Sequence, residues 1–164
     1  MIISLIVAMD EQRGIGRGNA LPWRLSDDLK RFKALTRGHF LVLGRKTYEA
    51  IGCPLPDRNI IIMTRRQNYT VDGCWVADSL QKALKIAQEH QENEIFIGGG
   101  GDIFSQALPL ADRIYLTQVH ASLGCDVFFP ELVMVKWVEQ ERSFHAVNER
   151  NQYPSTFLLL TRRC

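Results

Sequence analysis

Short apolar runs recur along the first 120 residues of the chain, and more polar stretches separate them. The runs are rich in β-branched residues and do not alternate with polar ones, a pattern typical of strands buried on both faces of a sheet. We predict strands at residues 2–9, 40–44, 59–64, 74–77, 94–97 and 113–119.

Several of the intervening stretches have the apolar spacing of helices. We predict helices at residues 26–36, 45–51, from 78 or 79 to 87, and 102–108, with Pro109 ending the last. Because strands and helices alternate, the sheet they form should be mainly parallel. Residues 10–19 are rich in glycine and lack periodicity, so we predict a long mobile loop of the kind that covers active sites.

The last fifty residues have a different pattern. Residues 133–145 and 155–162 alternate around the polar turn of residues 148–151, which predicts an antiparallel pair at one edge of the sheet. The fold class is therefore α/β, with a mixed, mainly parallel eight-stranded sheet, about four flanking helices and a C-terminal antiparallel hairpin. No repeat or linker interrupts the chain, and we expect one domain of residues 1–164.

The predicted helix at residues 26–36 separates two neighbouring acids. Ser26 suits the N-cap, and Asp27 is explained as a solvated charge in the first turn. At about 100° per residue, Asp28 is the only acid on the apolar face, whereas Arg31 falls outside it. An ionised carboxylate on such a face needs a partner, so Asp28 either completes a capping network or belongs to a functional cleft. The other members of the apolar face are Leu25, Leu29, Phe32, Leu35 and Thr36.

Composition narrows the class of protein. The 164 residues are 46% hydrophobic and 23% charged, with a net charge of only +2 and scattered basic residues, which argues against nucleic acid as a partner. The chain has no long apolar run and no basic leader, so we expect a cytoplasmic protein without a membrane segment. Its four cysteines and four histidines lack metal-ligand spacing, so we expect no metal, and the chemistry points to an organic cofactor.

Three predicted strand ends lead into segments that suit anions. These are residues 44–47, residues 64–66 and the glycine run of residues 98–101. Such sheets bind ligands at the carboxyl ends of their strands, so one ligand with several phosphates could contact all three. Each segment alone also fits a tight connection or a solvated surface. Basic rather than acidic residues follow the strands, which favours a dinucleotide with a 2′-phosphate.

Two further residues are candidates for a binding site. Arg58 lies in a proline-rich loop and could clamp a carboxylate, although an exposed loop arginine is the more common case. Thr117 lies in a strand, where it could be a simple β-former or could satisfy a buried carboxylate such as Asp28.

Taken together, these motifs resemble the dihydrofolate reductases of the bacterial chromosomal kind over nearly the whole chain. The order and spacing of the motifs carry the resemblance. They are Ile15-Gly16, residues 19–23, Asp28-Leu29, Phe32-Lys33, residues 44–52, residues 54–56 with Arg58, Thr64-Arg65, the glycine run with Ile103-Phe104, residues 115–117, Asp126, and Phe129-Pro130.

The resemblance implies reduction of 7,8-dihydrofolate to tetrahydrofolate by NADPH, and inhibition by antifolates such as trimethoprim and methotrexate. By the family pattern, Asp28 binds the pterin and Thr117 supports it, while Leu21 and Trp23 flank the water that delivers the proton. Arg58 would hold the glutamate carboxylate. The remaining substrate residues would be Ile6, Val7, Leu29, Phe32, Ile51 and Leu55. The cofactor residues would be Ala8, Ile15, Gly16, Asn19, Ala20, Leu21, Gly44, Arg45, Lys46, Thr47, Thr64, Arg65, Gly99, Gly100, Gly101, Asp102, Ile103 and Phe104.

Four positions depart from the family pattern. Gly98 stands where an aliphatic residue is usual, Phe104 where many members have tyrosine, Leu21 where methionine is common, and Cys125 near a glycine of some relatives. These changes concern drug affinity and loop kinetics rather than the reaction. Two alternatives remain: an NADPH-dependent pyrimidine reductase of riboflavin synthesis, and a noncatalytic nucleotide-binding module. Nothing in the sequence demands more than a monomer.

Overall fold

The computed structural model describes residues 1–18, 20–51 and 55–164. Asn19, a predicted cofactor residue, and residues 52–54, of which 52 and 54 belong to the family motifs, lie outside the described residues. The elements in chain order are β1 (Ile2–Met9), β2 (Gly14–Gly16), α1 (Ser26–Thr36), β3 (Phe40–Gly44), α2 (Arg45–Ile51), β4 (Asn59–Met63), β5 (Trp75–Ala77), α3 (Leu80–Glu89), β6 (Glu94–Ile97), α4 (Gly101–Ala107), β7 (Arg113–Val119), β8 (Val127–Phe128), β9 (Trp137–His145) and β10 (Ser155–Arg162).

Eight strands form one mixed sheet in the order β5-β4-β3-β6-β1-β7-β10-β9. The pairs from β5 to β7 are parallel, whereas β10 runs antiparallel to both β7 and β9. The predicted α/β fold, with its eight-stranded sheet and C-terminal hairpin, is confirmed. The strand β1 is central and the hairpin lies at the edge, as the hydrophobic patterns predict.

Alternate residues of the central strands pack on opposite faces of the sheet. In β3, Phe40 and Val42 contact the face that α3 and α4 cover, while Leu41 and Leu43 contact the face that α1 and α2 cover. This two-sided burial explains why the strands read as continuous apolar runs. None of the helices in the described ranges combines the length and apolar character needed to cross a membrane.

The amino end of α1 differs from the prediction. Ser26 is the first helical residue, and Leu25 precedes it without capping the helix through its side chain. The free amides of the first turn bond instead to the loop before β10: Ser26 N–H to the Arg150 carbonyl at 3.1 Å, and Asp27 N–H to Asn151 Oδ1 at 3.1 Å. Asp27 is also not a simple solvated charge, because its carboxylate accepts from Asn151 Nδ2 at 3.0 Å.

Two other segments differ from their predictions. Part of the predicted mobile loop of residues 10–19 is the short strand β2, which pairs antiparallel with β8 in a separate two-stranded sheet. The predicted strand of residues 133–145 begins only at Trp137, because Met134–Lys136 forms a 3₁₀ turn. In both places the elements are two or three residues long, too short to produce a periodic pattern.

Candidate active site

A cleft of about 570 Å³ opens at the carboxyl ends of β1, β3 and β6, between α1 and the glycine run after β6. Its walls are mainly apolar, and Asp28 is the only acid among the described residues that line it. An apolar cleft with a few polar groups at this edge of an open sheet is typical of a ligand site. The predicted residues that line it are Ile6, Val7, Ala8, Ile15, Gly16, Ala20, Leu21, Trp23, Asp28, Leu29, Phe32, Lys46, Thr47, Ile51, Gly99, Gly100 and Phe104.

Asp28 projects from the first turn of α1 into this cleft, where Thr117 meets it. The Thr117 hydroxyl, itself buried in β7, donates to Asp28 Oδ1 at 2.5 Å. Burial raises the pKa of the Asp28 carboxyl above its usual range, while the hydrogen bond from Thr117 and the positive charge of Arg31 oppose that rise. The site therefore holds a carboxylate whose ionisation burial makes costly and whose partners Thr117 and Arg31 offset part of that cost.

Arg31, one turn after Asp28, is a site residue that helical spacing did not predict. Its guanidinium turns back against the sheet and donates to the Leu158 carbonyl at 3.0 Å and to the Leu116 carbonyl and Thr117 Oγ1 at 3.4 Å each. It also lies over the Phe157 ring, 4.8 Å from the ring centre. A long side chain can reach a face to which its Cα does not point, and a wheel of Cα positions cannot show this.

Glycines form another part of the cleft wall. Gly44 at the end of β3 donates to the Gly99 carbonyl at 2.8 Å, so two strand ends approach closely. A Cβ on Gly100 would lie 3.2 Å from Thr47 Oγ1, and one on Gly99 would lie 3.2 Å from the Phe104 ring. The absence of side chains leaves backbone amides and the amino end of α2 open to a ligand, as a phosphate-bearing cofactor requires.

The segment after β1 is tied to the rest of the protein by Asp10. One carboxylate oxygen of this buried residue accepts from the amides of Gln12 and Gly14 at 2.9 and 2.7 Å, and the other accepts from the Leu123 amide at 3.1 Å. Although burial acts to raise it, these bonds hold the pKa of Asp10 below its usual range. The segment that carries Ile15, Gly16 and Leu21 to the cleft therefore has a fixed base.

Several predicted site residues lie near the cleft without lining it. Thr117 contacts the cleft only through its hydrogen bond to Asp28. Leu55 packs against the same hydrophobic cluster as Phe32 and Ile51. Arg58 is held at the carboxyl end of α1, where it donates to Thr36 Oγ1 at 2.8 Å, to the Lys33 carbonyl at 2.6 Å and to the Pro56 carbonyl. The predicted cofactor residues outside the lining are Gly44, Arg45, Thr64, Arg65, Gly101, Asp102 and Ile103. Gly98, which the sequence analysis placed in the glycine run at this edge, also lines the cleft. Residues of the lining that were not predicted are Arg24, Leu25, Ser26, Leu43, Ala50 and Val127.

Two charged side chains near the site each lie close to a polar partner. Arg45, expected to bind phosphate, donates to Glu49 at 2.6 Å on the outer side of α2. Asp27, next to Asp28, lies 3.5 Å from His145 Nδ1. In the described residues no group of three or more histidine, cysteine or acidic side chains could hold a metal ion.

Replacing Asp28 with asparagine should stabilise the protein at neutral pH. Because burial raises the pKa of Asp28 on folding, the free-energy penalty of its ionisation is absent below the unfolded pKa, grows as pH rises towards the folded pKa and is full above it. The asparagine amide oxygen can still accept the Thr117 hydrogen bond, so we expect a gain on the order of 1 kcal/mol, or about 3 °C in Tm. Thermal unfolding at neutral and acidic pH measures it.

The matched control is Asp27→Asn, which alters the adjacent acid without relieving a burial penalty. It should lower Tm, because Asp27 pairs with Asn151 and lies in the first turn of the helix. An Asp28→Asn protein that is no more stable than the wild type at neutral pH would contradict the assigned burial cost.

The sheet and the cleft together define an α/β protein that binds its ligands at the carboxyl ends of its strands, in a cleft lined by one carboxylate and a glycine-rich segment. A family model described as dihydrofolate reductase matches residues 2–162. The chain is 42% identical over 163 residues to a type 3 dihydrofolate reductase of Salmonella typhimurium, with 99% of each chain covered. It is 40% identical over 163 residues to a dihydrofolate reductase of Haemophilus influenzae, with 99% of this chain and 100% of that one covered.

A solved structure agrees with these matches. A dihydrofolate reductase from Enterococcus faecalis, complexed with NADP(H) and RAB-propyl, superposes with a TM-score of 0.92 at 36% identity, covering 99% of this chain and 97% of that one. The chain belongs to the dihydrofolate reductase family, as its motifs predict.

Proposed function

We propose that the chain reduces 7,8-dihydrofolate to 5,6,7,8-tetrahydrofolate with NADPH, and so supplies one-carbon metabolism. One observation carries the proposal: a partly buried carboxylate, Asp28, is supported by Thr117 in a cleft that is otherwise lined mainly by apolar groups. A pterin ring has an amino group and a ring N–H on one edge, which match the two oxygens of such a carboxylate. Phe32 and Leu29 on the same helix face offer apolar contact to the ring.

The glycine-rich part of the cleft suits NADPH. Gly99 and Gly100 allow close approach of the backbone, and Lys46 and Thr47 at the amino end of α2 line the same cleft. When bound, the cofactor supplies the hydride for C6 of the pterin. The 2′-phosphate would be held by Thr64 and Arg65 after β4, and by Arg45, whose guanidinium would have to exchange its bond to Glu49 for the phosphate. Gly44, Gly101, Asp102 and Ile103 would support this wall from behind.

The side chains of the cleft determine how the pterin is held and protonated. The Asp28 carboxylate accepts hydrogen bonds at the edge of the ring and polarises it, which raises the basicity of N5 on the opposite side. The Trp23 indole N–H is buried and has no acceptor among the described residues, so it can donate to a water in the cleft. Leu21 is 61% exposed on the segment that would close over the reacting rings.

Residues 1–164 act as one domain, as a monomer in the cytoplasm, without nucleic acid or membrane as a partner. Antifolate inhibitors compete for the pterin side of the cleft, where a cationic ring would pair with Asp28. The small net charge of +2 and the scattered basic residues support the absence of nucleic acid as a partner.

The direct test follows the loss of NADPH absorbance with 7,8-dihydrofolate as the substrate. Rapid turnover supports the proposal. Binding of NADPH without turnover would favour a noncatalytic module, and turnover of a riboflavin-pathway pyrimidine instead of dihydrofolate would favour the alternative reductase.

Arg58→Leu should raise KM for dihydrofolate by about tenfold or more and leave kcat nearly unchanged. A guanidinium that clamps the substrate's glutamate carboxylate contributes equally to ground-state and transition-state binding, so its loss appears in KM. Steady-state kinetics with dihydrofolate and with a dihydropterin that lacks the glutamate tail measure the effect.

The control variant is Arg37→Leu, because Arg37 pairs with Asp57 at 3.3 Å on the exposed surface nearby. Thermal unfolding must accompany the kinetics, since Arg58 also bonds to Thr36 and Lys33. An equal rise in KM with the tail-less substrate would show that Arg58 acts through the fold and not on the glutamate.

A further inference from the structure

Arg31 places a guanidinium behind the Asp28–Thr117 pair. It reaches β7 and β10 from α1, and its nitrogen atoms donate to Leu116, Thr117 and Leu158. The aromatic faces of Phe157 and Tyr115 lie 4.8 and 5.9 Å from its central carbon. The side chain is thus fixed on both sides by groups that favour a cation. Removing part of a guanidinium from water costs folding free energy, and the packing of α1 does not need a charge at this position.

The hydrogen bonds set the direction of the Thr117 hydroxyl. A guanidinium has donors only, so Thr117 Oγ1 must act as the acceptor of the 3.4 Å bond from Arg31. The hydroxyl proton is then directed to its other neighbour, Asp28 Oδ1, at 2.5 Å. A neutral acceptor in place of Arg31 could instead take that proton and leave Asp28 without its donor. The hydrogen bonds therefore run in one direction, with Arg31 donating to Thr117 and Thr117 donating to Asp28.

The positive charge of Arg31, like the hydrogen bond from Thr117, favours the ionised form of Asp28. Burial is the largest influence on the Asp28 carboxyl and raises its pKa, and Arg31 is the one charged group in the described residues that opposes it. Burial likewise lowers the pKa of Arg31, while Asp28 on α1, Glu141 on β9 and Tyr115 on β7 act to raise it. Two other cations, Arg24 and Lys46, line the open side of the cleft, where water screens them more strongly.

We propose that Arg31 is a positioning residue that directs the Thr117 hydroxyl to Asp28 and keeps the Asp28 carboxylate ionised for the pterin. This inference rests on the proposed function for its meaning in catalysis, but its physical content concerns the free protein. Arg31 would then help to set the pH below which activity falls and the affinity for cationic ring ligands, although it does not touch the substrate.

The experiment titrates the Asp28 carboxyl carbon by NMR in the free protein, with Asp28→Asn identifying the signal. The variants are Arg31→Gln and Arg31→Met, which both remove the charge, and Arg31→Lys, which retains it. Arg31→Met keeps a long apolar stem over the Phe157 ring and protects the fold. Lys30→Gln is the matched control, because it removes the same charge from an exposed position of the same helix.

We expect the titration midpoint of Asp28 to move to higher pH in Arg31→Gln and Arg31→Met. It should stay closer to the wild-type value in Arg31→Lys and remain unchanged in Lys30→Gln. The acid limb of the kcat/KM profile for dihydrofolate should move in the same direction. At neutral pH, kcat/KM should fall by about fivefold in the neutral variants and recover in part in Arg31→Lys.

A midpoint that is the same in the wild type and in folded Arg31→Met would overturn the inference. So would an equal shift in Lys30→Gln, because the effect would then be one of net charge. The titration needs neither substrate nor cofactor, so it tests Arg31 even for a protein that fails to reduce dihydrofolate. A failure of turnover with a normal Asp28 shift would refute the proposed function and leave the role of Arg31 intact.

Discussion

Asp28→Asn is expected to lower kcat with dihydrofolate by about a thousandfold at neutral pH. The substitution keeps the shape of the side chain and the acceptor for Thr117 but removes the charge that polarises the pterin and favours a proton on N5. Losses of this size follow removal of an electrostatic or acid–base group from a largely water-excluded site. Stopped-flow and steady-state oxidation of NADPH measure the loss.

The loss of activity in Asp28→Asn should depend on pH and be smallest at acid pH. As pH falls, a growing fraction of the substrate arrives already protonated at N5, so Asp28→Asn should recover part of its activity there. The affinity for NADPH should not change, because the residues that we propose for the cofactor are the glycines with Lys46 and Thr47, and Asp28 is not among them. Asp27→Asn, which affects only the helix terminus, should retain most of the wild-type kcat. If the loss in Asp28→Asn were the same at every pH, the carboxylate would hold the substrate without assisting its protonation.

The same residue links activity to stability. The carboxylate that we expect to accelerate the reaction is also the one whose burial costs folding energy, and asparagine should reverse both effects. A protein that tolerates such a cost at one position needs a compensating cation, and Arg31 supplies it from the same helix.

Much of the fold follows from the hydrophobic pattern. The strands β1, β3, β6 and β7 begin and end where their apolar runs do, because both faces of these strands are buried. The cleft also follows in outline, since parallel strands bring their carboxyl ends to one edge and helical spacing turns Asp28 inward. The pattern gives the direction of each Cα–Cβ bond. For short side chains such as those of Asp28 and Thr117, this direction is enough to indicate where the polar atoms lie.

Contacts between distant segments could not be predicted in this way. The partners of Arg31 lie 85 to 127 residues further along the chain, and its long side chain reverses the direction that its Cα suggests. The amino end of α1 is satisfied by Arg150 and Asn151, so no local capping residue is needed. The pairing of β2 with β8 likewise depends on two short segments that only the folded chain brings together.

Gly99→Ala is expected to weaken NADPH binding by about a hundredfold. Gly99 has a φ of +116°, a conformation that a residue with a side chain rarely adopts, so any substitution strains the backbone. The new Cβ would also lie 3.2 Å from Cε2 of Phe104. That ring is only 2% exposed and packs edge-on against Phe129, so it cannot move aside at low cost. Fluorescence titration with NADPH and thermal unfolding give the two effects.

Gly73→Ala separates backbone strain from damage to the cleft. Gly73 has a φ of +80° in an exposed turn, and a Cβ there would meet no atom within 4 Å. It should lose about 1 kcal/mol of stability and none of its affinity for NADPH. If Gly99→Ala lost stability alone, as Gly73→Ala should, the glycine wall would be a tight connection between β6 and α4. Loss of affinity beyond the loss of stability would show that the chain leaves this wall bare in order to admit the cofactor.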